Sequence, residues 1–309
     1  MINRSSKAHL QRYMLRIGKN WGLYLLLLPA VTLLLCFTYK PMYGVIIAFK
    51  DFKPALGIME SPWVGLKYFE KFFQSYQFWI TIKNTVLISL YSFAMFPIPI
   101  IFAILVNQLR ANRYKRVFQT ITYMPHFIST IVIAGLMMIL LSPGNGLMGN
   151  LFRLFGAEAP NVMGSASLFS SIYVWSDVWQ HTGWDSIIYL AALSAVSPSL
   201  YEAATVDGAT RWQKIWYIDI PMLIPTIVTL LILRVGGLLG VGFEKAYLLQ
   251  NNLNISGSEV ISTYVYKIGL LSSQYSFSAA INLFNTLINF ALLILVNQIA
   301  KKYSENSLW

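Results

Sequence analysis

An all-α, polytopic membrane protein of about six transmembrane helices is the fold this sequence predicts. Three observations carry the prediction. The chain is 56% hydrophobic and 11% charged, with a mean hydropathy of +0.57, too apolar for an ordinary soluble domain. Its apolar residues gather in runs long enough to cross a hydrocarbon core of about 30 Å as helices. Its basic residues gather beside those runs, so the net charge of +11 is a membrane-orientation signal and not a nucleic-acid one.

Residues 1–20 form a basic tail with Arg4, Lys7, Arg12, Arg16 and Lys19. The first span covers 21–39, opening on the interfacial aromatics Trp21 and Tyr24. This run is long and lacks a small-residue cleavage site, so it reads as an uncleaved span. The single cysteine, Cys36, excludes an internal disulfide and reads as a small buried hydrophobe. Residues 63–79 have helical spacing and are expected along the outer face. The second span runs from about 80 to 109, softened by Pro97 and Pro99. Arg110, Arg113, Lys115 and Arg116 make a short basic loop before the third span, 117–141. An outer loop at 142–167 leads to the fourth span, 168–196. The fifth, 222 to about 243, carries Gly236, Gly237, Gly240 and Gly242, which allow close helix approach. Residues 244–275 are expected outside. The sixth span covers 276–300 and closes on Lys301 and Lys302. With the amino terminus inside, the inner segments hold five, four, two and two Lys/Arg, which places both termini in the cytoplasm. The simplest division is the 1–20 tail followed by one membrane domain, 21–309.

The most polar stretch of the second half, 199–221, reads SLYEAATVDGATRWQKIWYIDIP. Ser199 and Glu202 have the S-x-x-E spacing of a capping box. Asp207-Gly208 breaks the helix, and Trp212, Ile215, Trp216 and Ile218 resume it. Pro221 either stops that element or opens the next. A helix-turn-helix between two spans lies at a membrane face and suits docking of another protein. Glu202-Ala203-Ala204, Gly208 and the closing Ile218-Asp219-Ile220-Pro221 resemble the EAA signature of binding-protein-dependent ABC importer permeases, Ile220 standing where leucine is usual. The resemblance extends over nearly the whole chain and is closest to the carbohydrate-uptake, maltose-importer class, in particular the oligosaccharide permeases of Gram-positive bacteria.

That resemblance implies a permease subunit in a bacterial plasma membrane, paired with a second homologous permease. Two copies of a cytoplasmic ATPase would dock on the loop at 197–221 through Glu202, Ala203, Ala204, Asp207 and Gly208. An extracellular binding protein would deliver an oligosaccharide. ATP and Mg would be bound by the partner ATPase and no cofactor by this chain, which lacks G-x-x-x-x-G-K-[ST]. No Ser/His/Asp set or metal-spaced His/Cys cluster suggests an enzyme.

Polar groups at membrane depth are the site candidates. Asp177, Gln180, His181 and Trp184 follow i, i+3, i+4, i+7 and share a helix face. Carboxylate, amide, imidazole and indole together suit a sugar, or else a helix-packing network with an interfacial tryptophan. The resemblance carries sugar-contact positions onto Asp177, Gln180, His181 and Trp184, onto His126 and Thr130 in the third span, and onto Arg234, Leu238 and Val241 in the fifth. Arg234, expected near mid-span, requires a partner: Asp177, Asp185 or an anionic substrate. A uronate-containing oligosaccharide would supply the last. An ion-coupled secondary transporter working through Asp177 or Asp185 is the alternative from another class.

Overall fold

The computed structural model describes residues 20–109 and 111–303, so the basic tail lies almost entirely outside the described residues. It is helical, and its described helices form two compact units that divide at residue 67. In the first unit, α1 (Trp21–Leu34) continues through a π-helical turn, Leu35–Tyr39, into a short helical turn and a 3-10 stretch, Tyr43–Phe49. Cys36 is exposed in that π turn, which corrects the expectation of a buried residue. Lys50 pairs antiparallel with Trp63, and the Trp63 ring stacks on Phe49 at 5.8 Å.

In the second unit the expected 63–79 helix is shorter and broken. α2 (Lys67–Gln74) ends at Ser75, whose extended backbone turns the chain into α3 (Tyr76–Ala94). α4 (Pro97–Asn107) completes the second span, with Pro97 opening it where a missing N–H costs nothing. The expected third span is not one straight helix. α5 (Asn112–Tyr123) passes into a 3-10 turn, Met124–Phe127, and bends by 98° before α6 (Thr130–Leu140). Ile128 and Ser129 are extended at the bend, and the Ser129 side chain caps α6 by accepting from the Val132 N–H. The loop at 142–167 contains α7 (Leu147–Leu154).

α8 (Phe169–Ser194) is the central helix. Its first turns pack with Ile88, Ala134, Val241, Ala246 and Val260, and its last turns with Ala103, Ile104, Ile215 and Leu223. α9 (Pro198–Val206) is bent 70° from it. α10 (Arg211–Lys214), a π turn at Ile215–Asp219 and α11 (Ile220–Gly236) form one continuous run. The fifth span therefore starts at 211, about three turns earlier than the hydropathy suggested, and ends at 236, about two turns earlier. Pro221 neither stops nor starts a separate helix. Proline has no N–H and crowds the carbonyl four residues back. The π turn absorbs this, with the Ile220 N–H donating to the Ile215 carbonyl. The same device precedes Pro41, where the Lys40 N–H donates to the Leu35 carbonyl.

Residues 244–275 are not an open loop. α12 (Phe243–Leu249), α13 (Ile255–Ser258) and α14 (Ile261–Tyr266) fold back over the bundle, and Asn84 holds them by donating to the Ser256 and Glu259 carbonyls at 3.0 Å. α15 (Tyr275–Tyr303) is the sixth span. Among the described residues, four runs are long and apolar enough to cross a membrane, or six if each bent pair is one span.

Candidate functional site

Two regions concentrate the polar side chains. The first is the helix-turn-helix. The expected capping box at Ser199 and Glu202 does not form: Ser197 is the N-cap of α9 and makes no side-chain cap bond, while Ser199 bonds Ser197. Pro198 at the first helical position shifts the start by two residues and already lacks an N–H. The capping box is instead Thr210 with Gln213, at the start of α10. α9 ends in a Schellman motif. The Ala209 N–H donates to the Ala204 carbonyl at 2.8 Å and the Gly208 N–H to the Thr205 carbonyl at 3.1 Å. Gly208 sits at φ +73°, a conformation glycine takes without cost. Glu202, Ala203 and Asp207 are exposed around this turn and Ala204 is half-buried. Lys214 donates to the Thr205 hydroxyl at 2.7 Å and braces the two helices.

The second region lies where α8 meets the bend after α5. Gly183 lets the α5 backbone come against α8: a Cβ there would sit 2.2 Å from the Thr122 carbonyl oxygen. One residue on, Trp184 stacks on His126 with ring centroids 4.3 Å apart and planes 2° apart. One turn back, Gln180 is buried and donates to the Ile128 carbonyl at 2.9 Å. The bend frees that carbonyl, so the Gln180 amide is occupied in holding it. The face expected to present four polar groups is thus divided. Gln180 secures the bend, whereas Trp184 opens onto a cavity of about 790 Å³ with Asp185, Tyr189 and Arg234. The Nδ1 atom of His126 is buried without a hydrogen-bond partner. Thr130 is half-buried at the first turn of α6.

Asp177 faces a second cavity of about 210 Å³, with Ser89, Ser92, Tyr173, Arg234, Leu238 and Val241. Its carboxylate takes Lys245 at 3.2 Å and His181 at 3.4 Å. Lys245, 6% exposed, comes from the segment expected to lie outside, and nothing in its local sequence marks it as a buried cation. Asp177 is therefore committed to Lys245 and His181 and is not the ion-pair partner of Arg234. Arg234 also lies elsewhere than expected. It is in the last turn of α11, not at mid-helix, so the helix carbonyl end favours its charge by about 0.3–1 kcal/mol. Its guanidinium donates to the Ser92 carbonyl at 3.4 Å, and among the described residues no carboxylate lies within 4.0 Å of it. Arg234 lines both cavities and the narrow gap beside Asp177 and Asp185.

A helical membrane unit with an exposed helix-turn-helix and a mostly apolar cavity that Asp185 and Arg234 also line suits the membrane part of a transporter. The chain belongs to the family of inner membrane components of binding-protein-dependent transport systems, the permeases of ABC importers, with the family pattern matching residues 95–305. It is a transport subunit of a bacterial plasma membrane and not an enzyme. It is 40% identical over 304 residues to the polygalacturonan/rhamnogalacturonan transport system permease protein YteP of Bacillus subtilis, covering 98% of this chain and 95% of that protein. The crystal structure of a bacterial ABC transporter involved in import of the acidic polysaccharide alginate superposes with a TM-score of 0.87 at 39% identity, over 94% of this chain and 99% of that one. The bacterial alginate transporter in complex with its alginate pentasaccharide-bound periplasmic protein also gives 0.87, at 38% identity over 95% and 98%.

Proposed function

We propose that this chain is the permease subunit through which an ATP-driven importer passes a uronate-containing oligosaccharide. One observation carries the reading: Arg234 lines both cavities with no described carboxylate at ion-pair distance, while the nearby Asp177 is held by Lys245 and His181. With no described carboxylate at ion-pair distance, the guanidinium is left to pair with an anionic cargo, and a uronate carboxylate can take both of its parallel N–H groups. Trp184, stacked on His126, offers a plane for the apolar face of a sugar ring. Relatives named for polygalacturonan and alginate transport support an acidic cargo.

In this reading an extracellular binding protein delivers the sugar, and a second homologous permease completes the passage. Two ATPase copies bind ATP and Mg and dock on the turns around Gly208. Closure of the ATPase pair moves α9 and switches the cavity between inward and outward access. The test is uptake of matched neutral and uronate oligosaccharides by wild type and Arg234→Gln, at equal expression. Losing charge-assisted bonds worth about 1.5–3 kcal/mol each, the variant is expected to take up the uronate at least ~tenfold more slowly and the neutral sugar at an unchanged rate. An equal loss for both sugars would make Arg234 a structural residue instead.

The orientation is tested separately. In a Cys36→Ser background, Val206→Cys, 88% exposed, is expected to react with an impermeant thiol reagent only from the cytoplasm. Exposed Asn252→Cys should react only from outside. Outside labelling at 206 would rule out docking of an ATPase on this turn.

A further inference from the structure

Asp219 is fully buried, yet among the described residues it has no lysine or arginine partner. Each of its oxygens instead takes one donor from a different helix. The Tyr201 hydroxyl of α9 donates to Oδ1 at 2.5 Å, and Gln108 Nε2, at the end of α4, donates to Oδ2 at 2.8 Å. An ionised carboxylate can only accept, so both links have a fixed direction, from α9 and from the end of α4 into the π turn that begins the fifth span.

Burying a carboxylate without a countercharge is costly, and an apolar residue of similar size would pack there at lower cost. The cost is offset only while both donors stay in place, so α9 cannot shift alone without stranding a buried oxygen. The exposed Lys214–Thr205 bond carries no such penalty, since water replaces it. We infer that Asp219 is a positioning residue that makes α9, α4 and the start of the fifth span move as one body, passing displacement of the docking turn into the helices that line the cavity. This rests on the reading that an ATPase docks at that turn.

The test uses the assembled transporter, ATPase and sugar-loaded binding protein in proteoliposomes, with Asp219→Leu and the milder Tyr201→Phe. Both are expected to assemble and to hydrolyse ATP at the unstimulated wild-type rate. Stimulation of hydrolysis by the loaded binding protein, and uptake, should fall about tenfold. Wild-type stimulation and uptake in both variants would overturn the inference. So would a loss that merely follows the yield of assembled complex, because that is a folding effect. A cross-link from Val206→Cys to the ATPase separates the two levels. If it forms and the variants still couple normally, only the role of Asp219 is lost; if it never forms, the docking reading fails and the inference with it.

Discussion

Replacing Gly208 with valine is expected to abolish uptake while leaving the chain inserted in the membrane. The residue sits at φ +73°, and an added Cβ would meet nothing within 4 Å. The penalty is therefore purely one of backbone conformation. A β-branched residue is strained in that region by about 1–3 kcal/mol. The cheapest relief is to open the turn, which breaks the bonds from Gly208 to Thr205 and from Ala209 to Ala204 and swings α10 away from α9, which carries Glu202 and ends at Asp207. Insertion depends on the apolar runs, which lie outside the turn. Membrane fractionation and uptake of the labelled oligosaccharide check both halves. Wild-type uptake by Gly208→Val would show that the exact turn geometry does not matter to coupling.

Gly183→Val is expected to have the second large effect, this time on folding. Here space is the constraint, since a Cβ would fall 2.2 Å from the Thr122 carbonyl oxygen, a backbone atom that cannot rotate aside. α8 and α5 must separate. With them go the His126–Trp184 stack and the Gln180 bond to Ile128. Valine is expected to prevent accumulation of folded chain. Gly183→Ala should accumulate but unfold at a temperature lower by about 3–10 °C, following about 1–3 kcal/mol of overpacking. Thermal unfolding in detergent, followed by size-exclusion chromatography, measures it. An unchanged midpoint for the alanine variant would mean that the two helices are not in fact closely apposed.

Much of this was legible in the sequence because its signals are one-dimensional. Apolar run length marked the spans, and Asp207-Gly208 marked the turn after α9. Where the reading failed, the cause was an interaction between distant segments or a local rule with two solutions. The capping-box pattern occurs at both Ser199 and Thr210; Pro198 settled which one forms by starting α9 at Ser197. Run length could not register the bend at Ile128, because the carbonyl it frees is satisfied by Gln180, far along the chain. The i, i+3, i+4, i+7 rule placed Asp177, Gln180, His181 and Trp184 on one stripe, but a stripe about 10 Å long along a helix meets different neighbours at its two ends. Lys245 was invisible for the same reason: its partner Asp177 lies across the bundle. Asp219 stood in a variable position of the signature, and the only hint was a charge among Ile215, Ile218 and Ile220.

The widened turn at Ile215–Asp219 has a consequence for how the fifth span is addressed at its two ends. An α-helix advances about 100° per residue, so one extra residue accommodated in a turn rotates everything beyond it by that angle relative to everything before it. The run from Arg211 to Gly236 is continuous as a rod but not in phase. Lys214 is indexed to the turn after α9, and Leu230, Leu233 and Arg234 to the cavity, with a fixed angular offset between the two. A single helix thereby carries two faces, one at each end, whose directions are set independently.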